Sequence, residues 1–291
     1  MPKKILITGE NSYIGSSLSR WLQRWPEDYG VDTVDMRGDG WEKKSFAGYD
    51  GIIHVAGIAH IKETPENTDL YYQVNRDLVY AVAQKSREDG VEQFIFLSSM
   101  SVYGLEQGVI SRDSSENPRS HYGRSKLQGE RLLLSLEDAA FKVAILRPPM
   151  IYGKGCKGNY PRLARMARRT PVFPEVRNQR SMIYIDNLCE FIRLLIDDGA
   201  GGVFFPQNKE YVYTADLVQL IAEFQGGGMR ITRLLNPLVM LLMPFSTTLK
   251  KVFGSLVYDK SLSEPAGEYN VVGFRDSIRS TEKYNESGLK L

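Results

Sequence analysis

Cysteine and histidine are scarce in this chain of 291 residues, which contains two cysteines and three histidines. Cys156 and Cys189 lie far apart in the sequence, without the paired spacing of a zinc site and without a histidine cluster nearby. Neither a disulfide framework nor a metal centre is indicated. We therefore expect no bound metal and a reducing cytoplasmic location, with His60 and His121 as ordinary surface residues.

An excess of charge of one sign is also missing. Lys and Arg number 37 and Asp and Glu number 35, which gives a formal net charge of +2. A nearly balanced chain gives no reason to expect a polyanion such as nucleic acid as the partner, although a local basic patch remains open.

Long apolar runs are absent as well. The first run, Ile5–Ile7, breaks at Thr8 and Gly9 and is too short for a signal peptide, so it is interpreted as a first strand. The most apolar stretch, Leu234–Phe245, is interrupted by two prolines and falls short of the roughly 20 residues that cross a bilayer. We expect a buried or interfacial helix there, with membrane contact as the alternative.

What the chain does contain is a regular alternation of short apolar runs with longer helical patterns. The predicted strands are Ile5–Thr8, Val31–Asp35, Gly51–Val55, Gln93–Ser98 and Lys142–Leu146. The predicted helices are Tyr13–Trp25, Thr68–Asp89, Tyr122–Leu136, Tyr160–Arg169, Asp186–Ile196 and Thr214–Phe224. This alternation is typical of an α/β protein with a doubly wound parallel sheet.

The segment Thr8–Gly15 follows the first predicted strand and opens the first predicted helix, which is the position of a dinucleotide-binding turn. Gly9 permits a tight turn, Gly15 permits close packing of helix on sheet, and the N–H groups at the helix start can bind a pyrophosphate. Ser12 stands where a middle glycine is expected, which fits if its side chain points away from the phosphates. A simple strand-to-helix turn is the alternative.

The end of the second predicted strand bears on the choice of cofactor. Asp35 lies 20 residues after Gly15, where an acidic side chain accepts hydrogen bonds from the adenosine ribose. This position favours NAD. Arg37 could instead attract the 2′-phosphate of NADP, so NADP stays open.

Glycines and prolines become frequent after Arg147, which indicates a change of organisation. We expect residues 1–150 to form a Rossmann-type NAD(P)-binding domain, to which residues 181–225 return. Residues 151–180 and 226–291 are expected to form a smaller, mostly α C-terminal lobe that binds the substrate.

Tyr122 and Lys126 are four residues apart in a predicted helix, so both side chains leave the same face. A free phenol titrates near pH 10 and is a poor base at neutral pH, but a nearby lysine ammonium favours the phenolate and lowers that pKa. The spacing therefore predicts a tyrosine that works as an acid and base.

Further short motifs complete a pattern: His54–Gly57 at a strand end, Asn75 in the next helix, and Ser98–Gly104 after the following strand. In this order, with the glycine turn and the Tyr122–Lys126 pair, the chain resembles the extended short-chain dehydrogenase/reductase family over nearly its whole length. The similarity is to its NAD-dependent sugar-nucleotide epimerase/dehydratase branch.

That resemblance implies an enzyme with three catalytic residues. Ser99 would hydrogen-bond the reacting sugar oxygen, Tyr122 would move the proton, and Lys126 would also hold the nicotinamide ribose. The implied cofactor contacts are Gly9, Ser12, Tyr13, Ile14, Gly15, Asp35, Arg37, Val55, Ala56, Gly57, Asn75, Ser98, Tyr122 and Lys126. The family also implies a homodimer built on the helices near 68–89 and 122–136.

The resemblance implies the substrate contacts Ser99, Met100, Tyr122, Asn159 and Arg180. Arg180 begins a segment whose family counterpart contacts a nucleotide diphosphate, and a guanidinium is well shaped to bind phosphate oxygens. Many epimerases of this branch hold a substrate phosphate with an asparagine at the position of Met150, which a methionine cannot do. Asn159, with charge from Lys157, is a candidate substitute, and a plain loop cap is the alternative.

The run from Arg147 to Asn159 looks like the subgroup that handles precursors of bacterial surface polysaccharides. Its 4-epimerases and 4-keto reductases act on UDP-hexoses or UDP-N-acetylhexosamines with the same catalytic residues. We expect the epimerase, with the NAD(P)H-dependent reductase as the close alternative. Dehydratases carry an acidic pair after the serine or threonine, whereas Met100 and Ser101 follow Ser99 here. A non-catalytic NAD(P)-binding protein and a membrane-associated enzyme for a lipid-linked sugar remain further alternatives.

Overall fold

The structure of this protein is a computed structural model that describes residues 1–59, 61–263 and 267–283. His60 and the end of the expected second lobe, 284–291, lie outside the described residues. The strands are β1 Lys3–Thr8, β2 Tyr29–Val34, β3 Gly51–His54, β4 Gln93–Leu97, β5 Gly108–Ile110, β6 Lys142–Leu146, β7 Met150–Tyr152, β8 Val172–Pro174, β9 Met182–Tyr184, β10 Gly202–Phe204, β11 Arg230–Thr232 and β12 Leu256–Tyr258. The helices are α1 Tyr13–Leu22, α2 Gly40–Lys43, α3 Thr68–Tyr72, α4 Leu78–Glu88, α5 His121–Leu134, α6 Asn159–Arg169, α7 Ile185–Asp198, α8 Thr214–Phe224, α9 Asn236–Leu242, α10 Thr247–Phe253 and α11 Phe274–Glu282.

The central sheet has six strands in the order β10-β6-β4-β3-β1-β2, and every neighbouring pair is parallel. The predicted α/β class with a doubly wound parallel sheet is confirmed. Because the strands are parallel, the segments that follow them leave from one edge of the sheet. The chain runs from β1 outward to β2 and then back across to β3, so a crevice forms between the carboxyl ends of β1 and β3.

Alternation along the strands places apolar side chains on both faces of the sheet. Ile5 and Ile7 of β1 belong to one buried cluster, which contains Leu18 of α1 and Leu188 of α7. Leu6, between them, belongs to the cluster on the opposite face with Val79 and other residues of α4. Helices therefore cover both faces, and the polar strand ends are left for the site.

One long predicted helix is interrupted. The pattern over 68–89 forms α3, a π-helical turn at Gln73–Asp77, and α4. A π-turn adds a residue to one helical turn and redirects the side chains around it. Here the turn contains Asn75, which is fully buried.

Short two-stranded parallel ladders organise the later half of the chain. They pair β7 with β9, β5 with β12, and β8 with β11, and each has three residues per strand. β10 returns to the central sheet beside β6. The division into two domains at the bounds given above stays a prediction.

Of the two expectations for Leu234–Phe245, a buried or an interfacial helix, the buried one is wrong. The segment contains the short helix α9 and a 3₁₀ turn at Met243–Phe245, and Val239 is the only one of its side chains classed as buried. Pro237 occupies the first turn of α9, and Pro244 lies in the 3₁₀ turn that follows. Because proline lacks a backbone N–H, α9 does not continue as an α-helix through Pro244. Within the described ranges, no helix is long and apolar enough to cross a membrane.

Candidate active site

The glycine turn after β1 is tightly built. Gly9 has φ +84°, and a Cβ on it would lie 3.1 Å from backbone atoms of Ala56, in the segment after β3. Ser12 caps α1, since its Oγ accepts the N–H of Gly15 at 3.0 Å. The Ser12 hydroxyl is thus hydrogen-bonded to the helix that it caps. The N–H groups of Tyr13 and Ile14, at the first two helical positions, have no acceptor within the helix.

At the end of β2, the two residues expected to choose the cofactor form one exposed pair. The Arg37 guanidinium donates to the Asp35 carboxylate through Nε at 2.9 Å and Nη2 at 2.5 Å, and the Arg37 backbone N–H donates at 2.9 Å. These hydrogen bonds lower the pKa of Asp35 to about 2. The carboxylate is therefore ionised. Arg37 competes with a ribose hydroxyl for this carboxylate, and the same guanidinium could bind a 2′-phosphate.

Gly57, after β3, forms the floor of an open cradle. A Cβ on this exposed glycine would lie 3.0 Å from Asn75 Oδ1 and 3.1 Å from Lys126 Nζ. Because Gly57 has no side chain, the cradle leaves space beside Lys126 Nζ. Together with the free helix-start N–H groups, it fits a dinucleotide laid across the carboxyl ends of β1 and β3.

Asn75 connects the segment after β3 to α5 through its side-chain amide. Its Nδ2 donates to Ile58 O at 3.1 Å and to Ser125 Oγ at 3.2 Å, and its Oδ1 accepts the Ile58 N–H at 3.1 Å. The π-turn thus joins the segment after β3 to α5.

Tyr122 and Ser99 meet at the carboxyl end of β4. Tyr122 lies in the first turn of α5. The Ser99 hydroxyl donates to Ser101 Oγ at 3.1 Å and also interacts with the Tyr122 side chain. Burial raises the pKa of Tyr122, and the interaction with Ser99 lowers it. Tyr71 packs edge-on against the Tyr122 ring with the ring centroids 6.5 Å apart.

Lys126 lies one turn further along α5 and is buried. Its Nζ donates to Leu97 O at 2.9 Å and stands 4.5 Å from the centroid of the Phe96 ring. Burial lowers the pKa of Lys126 to about 7, while the Glu130 carboxylate opposes that shift. A buried amine whose charge changes near neutral pH therefore lies on the same helical face as Tyr122.

Two features fix the start of α5, and the sequence analysis identified neither of them. Ser120 caps the helix, with its Oγ accepting the Gly123 N–H at 3.0 Å. The Glu63 carboxylate, remote in sequence, accepts the Tyr122 N–H at 3.0 Å. A Cβ on Gly123 would lie 2.6 Å from Ser101 O, and one on Gly129 would lie 2.6 Å from Asn75 O. These two glycines let α5 approach both neighbouring segments closely.

The sequence analysis also missed a buried ion pair near the predicted catalytic residues. Glu130 accepts a hydrogen bond from Arg147 Nη2 at 2.6 Å, and Ser98 Oγ donates to the same carboxylate. Arg147 also donates to Tyr103 Oη at 2.8 Å and to Glu116 at 2.5 Å. Spacing offered a signal for Glu130, which follows Lys126 by four residues. The Ser98 hydroxyl is committed to this pair, and its predicted cofactor role stays a prediction.

Arg180 carries a guanidinium without a carboxylate partner among the residues that the structure describes. Its Nη1 donates to Gly254 O at 3.2 Å, and burial lowers its pKa. A half-buried, uncompensated guanidinium is suited to binding an anion. Met100 is half-buried with its N–H bonded to Pro148 O at 3.0 Å, whereas Asn159 is exposed at the start of α6.

A separate cavity of about 680 Å³ lies near the amino ends of the strands. Its lining includes Lys3, Asp50, Gln93 and Phe141, and it contains none of the predicted site residues.

A profile described as "NAD dependent epimerase/dehydratase family" matches residues 5–205. The chain belongs to this family. The expectations of the family, of an enzyme and of NAD as the cofactor class are confirmed at this level.

Individual relatives agree with that placement. The chain is 29% identical over 249 residues to a UDP-glucose 4-epimerase from Vibrio cholerae, an alignment that covers 76% of each protein. It is 28% identical over 247 residues to an N-acetyl-α-D-glucosaminyl-diphospho-ditrans,octacis-undecaprenol 4-epimerase from Escherichia coli O157:H7, covering 77% of this chain and 72% of the relative. The fold is similar to that of a UDP-glucuronic acid 4-epimerase from Bacillus cereus in complex with NAD, with a TM-score of 0.72, 19% identity, and coverage of 97% and 98% of the two chains.

Proposed function

We propose that this protein is an NAD-dependent 4-epimerase that acts on a sugar joined to a diphosphate, with a UDP-hexose or UDP-N-acetylhexosamine as the expected substrate. The observation that carries the proposal is the union of Ser99, Tyr122 and Lys126 at the carboxyl end of the sheet, with the uncompensated Arg180 guanidinium available for a diphosphate. The named relatives from Vibrio cholerae and Escherichia coli, both 4-epimerases, support this choice.

The proton of the reacting hydroxyl goes to Tyr122. In its phenolate form, the tyrosine takes the proton from the C4 hydroxyl as that carbon becomes a ketone, and returns it when the ketone is reduced. The Ser99 hydroxyl, which interacts with the Tyr122 side chain, is placed to hold the same sugar oxygen.

Lys126 makes this proton transfer feasible near neutral pH. Its buried ammonium favours the phenolate of Tyr122, one helical turn away. The Leu97 carbonyl holds the lysine in place, and the Gly57 cradle keeps the ammonium open to a ribose hydroxyl.

The residues fit NAD, and the chemistry that bound NAD supplies is reversible acceptance of a hydride from C4. Gly9, the N–H groups at the start of α1, and Gly57 would hold it, with Asp35 on the adenosine ribose. Retention of the same cofactor through both half-reactions distinguishes an epimerase from a 4-keto reductase, which consumes reduced cofactor. The two activities need the same three catalytic side chains.

The diphosphate is the shared chemical feature of the candidate substrates. Arg180 is proposed to bind it, with Asn159 and Lys157 as further candidates because Met150 offers no polar group. In the relative from Escherichia coli, the diphosphate joins the sugar to undecaprenol. The candidate substrates therefore share the sugar diphosphate and differ in the group joined to the other end of the diphosphate. A role in surface-polysaccharide synthesis, a cytoplasmic location and a homodimer remain parts of the proposal.

The test starts with purified protein. Any bound nucleotide is released and identified, and the protein is then incubated with UDP-glucose and UDP-N-acetylglucosamine without added cofactor while the C4 configuration is followed by NMR. Copurified NAD with epimer formation that disappears in Tyr122→Phe supports the epimerase. Conversion only after a 4-keto sugar nucleotide and NAD(P)H are supplied would replace it by the reductase, and NAD binding without any turnover would favour the non-catalytic alternative.

A further inference from the structure

The segment from α9 to the following 3₁₀ turn presents an unusual apolar surface. Leu234 is 88% exposed, Leu241 is 68% exposed and Phe245 is 87% exposed. The exposed apolar side chains of this surface, which we call the α9 face, are Leu234, Leu235, Leu238, Met240, Leu241, Leu242 and Phe245. A cluster of this kind on a protein surface marks a binding site for an apolar partner.

Spacing within the α9 face matches a helix lying flat on a surface. Leu238 and Leu241 are three residues apart on α9, and Leu234 before the helix and Phe245 in the 3₁₀ turn follow at a further four residues on either side. Val239 on the other side is buried and belongs to the large cluster that also contains Phe173 and Phe253. The helix is therefore anchored by one side and leaves a stripe of large apolar residues to the outside.

Charge around the α9 face has one sign. From Phe224 to Tyr258 the sequence contains no Asp or Glu, whereas it contains Arg230, Arg233, Lys250 and Lys251. Arg233 pairs with Glu175 from a neighbouring segment. The other three cations form no ion pair within the part of the chain that the structure describes. An apolar stripe with uncompensated cations beside it complements the acyl boundary and the anionic headgroups of a bilayer.

The α9 face is also joined to the candidate diphosphate site. At the end of α10, Gly254 O accepts a hydrogen bond from Arg180 Nη1 at 3.2 Å, and Asn178 Nδ2 donates to Val252 O at 3.1 Å. β12 then pairs with β5, which follows the Ser99 segment. The residue proposed to bind phosphate is thus hydrogen-bonded to the residue that directly follows α10.

From these observations we infer that the α9 face docks the protein on an anionic lipid bilayer, and that the sugar diphosphate it converts is carried by a polyprenol in that bilayer. The inference rests on the proposed function for its chemistry, because C4 epimerisation involves the sugar and leaves the carrier unchanged. An interfacial helix needs no membrane span, and α9 has seven residues.

Docking is tested without any turnover. The full chain is sedimented with vesicles of phosphatidylcholine containing phosphatidylglycerol, and with vesicles of phosphatidylcholine alone. We expect binding to the anionic vesicles, a fall of roughly fivefold in affinity for each of Lys250→Gln and Lys251→Gln, and loss of binding in the double variant Leu238→Glu/Leu241→Glu. The control is Val271→Glu, which places one glutamate at an exposed apolar residue outside the α9 face and is expected to bind like the unaltered protein.

Substrate class is tested on the same proteins. Unaltered protein should epimerise an N-acetylhexosaminyl-diphospho-polyprenol in anionic vesicles faster than it epimerises the UDP-sugar. The variant Leu238→Glu/Leu241→Glu should lose at least about tenfold in rate on the vesicle substrate and keep its rate on any soluble UDP-sugar.

Epimerisation of UDP-sugars with no vesicle binding overturns this inference and leaves the proposed function intact. Concentration-dependent dimers that the double variant abolishes, again without vesicle binding, assign the α9 face to a second copy and also overturn it. Vesicle binding with turnover of UDP-sugars alone overturns the substrate assignment, whereas vesicle binding with no turnover of either substrate contradicts the proposed function instead.

Discussion

The Ser99 hydroxyl interacts with the Tyr122 side chain and lowers its pKa, although one residue follows a strand and the other lies in the first turn of a later helix. The contact requires α5 to approach the 3₁₀ turn that begins after Ser99, and Gly123 permits this approach because a Cβ there would lie 2.6 Å from Ser101 O. Ser99 therefore influences the proton affinity of Tyr122 before any substrate arrives.

Removing this hydroxyl should shift the pH dependence of catalysis. Ser99 lowers the pKa of Tyr122 against the effect of burial, so Ser99→Ala should raise it and move the ascending limb of the kcat/KM profile to higher pH. Turnover at pH 7 should fall by about 10²- to 10⁴-fold, the usual range for loss of acid–base assistance. The measurement is a pH series of C4 epimerisation from pH 6 to pH 10.

Ser99→Thr is the matched control, because it keeps a hydroxyl at the same position. It should retain a limb close to that of the unaltered protein. A uniform loss of rate in Ser99→Ala, with an unmoved limb, would contradict the assigned effect on Tyr122 and leave Ser99 only a role in substrate binding.

Cofactor choice should depend on the pair formed by Asp35 and Arg37. In Asp35→Ser, Arg37 loses the carboxylate that engages its Nε and Nη2, so its guanidinium becomes available to a 2′-phosphate. We expect the ratio of the dissociation constants for NADP and NAD to fall by about tenfold or more. Fluorescence titration with both reduced cofactors measures the ratio. The double variant Asp35→Ser/Arg37→Ser should not gain NADP affinity, and an equal gain there would show that Arg37 is not responsible.

Much of this architecture was predictable because it is encoded locally. Alternating apolar residues such as Ile5, Leu6 and Ile7 place strands between two helical layers, and the four-residue spacing of Tyr122 and Lys126 puts both on one face of a helix. Gly9 marks the turn after β1 because few residues tolerate its positive φ.

The rest depends on contacts between residues remote in sequence. The Glu63 carboxylate on the Tyr122 N–H and the Arg147 guanidinium on Glu130 join segments with no shared pattern. Three-residue strands such as β5 and β12 carry too few side chains for a periodic signal and form because each partner is brought to the other by the fold. The sequence left a buried and an interfacial helix both open at the α9 face, because an apolar run does not reveal what covers it.

The ion pair between Glu130 and Arg147 should be important for stability. Both side chains are buried, so Glu130→Gln leaves a buried guanidinium with only Glu116 as a charged partner. We expect the free energy of unfolding to fall by about 3–5 kcal/mol, as for other broken buried pairs. Urea denaturation measures the change. The double variant Glu130→Leu/Arg147→Met removes both charges and should be closer in stability to the unaltered protein, whereas equal losses in the single and double variants would mean that packing rather than charge is at stake.

A last prediction concerns His54, which is fully buried at the end of β3 with its Nδ1 3.0 Å from Thr8 Oγ1. Burial and, secondarily, the Lys126 charge lower its pKa from 6.5 to about 3. The folded protein therefore leaves this imidazole neutral where the unfolded chain would protonate it, so its contribution to stability is complete above pH 6.5 and is lost progressively as the pH falls toward 3.

The comparison that isolates this effect is the unaltered protein against His54→Gln. The difference in free energy of unfolding between them should move by about 2 kcal/mol against the unaltered protein between pH 6.0 and pH 4.5, as linkage for one proton requires. Lys126, whose pKa is about 7, is largely charged in both folded and unfolded states across this interval and adds little slope. Urea denaturation at several pH values in the interval gives the slope. Parallel stability curves for the two proteins would mean that His54 is protonated in the folded state, with its Nε2 bonded to a partner.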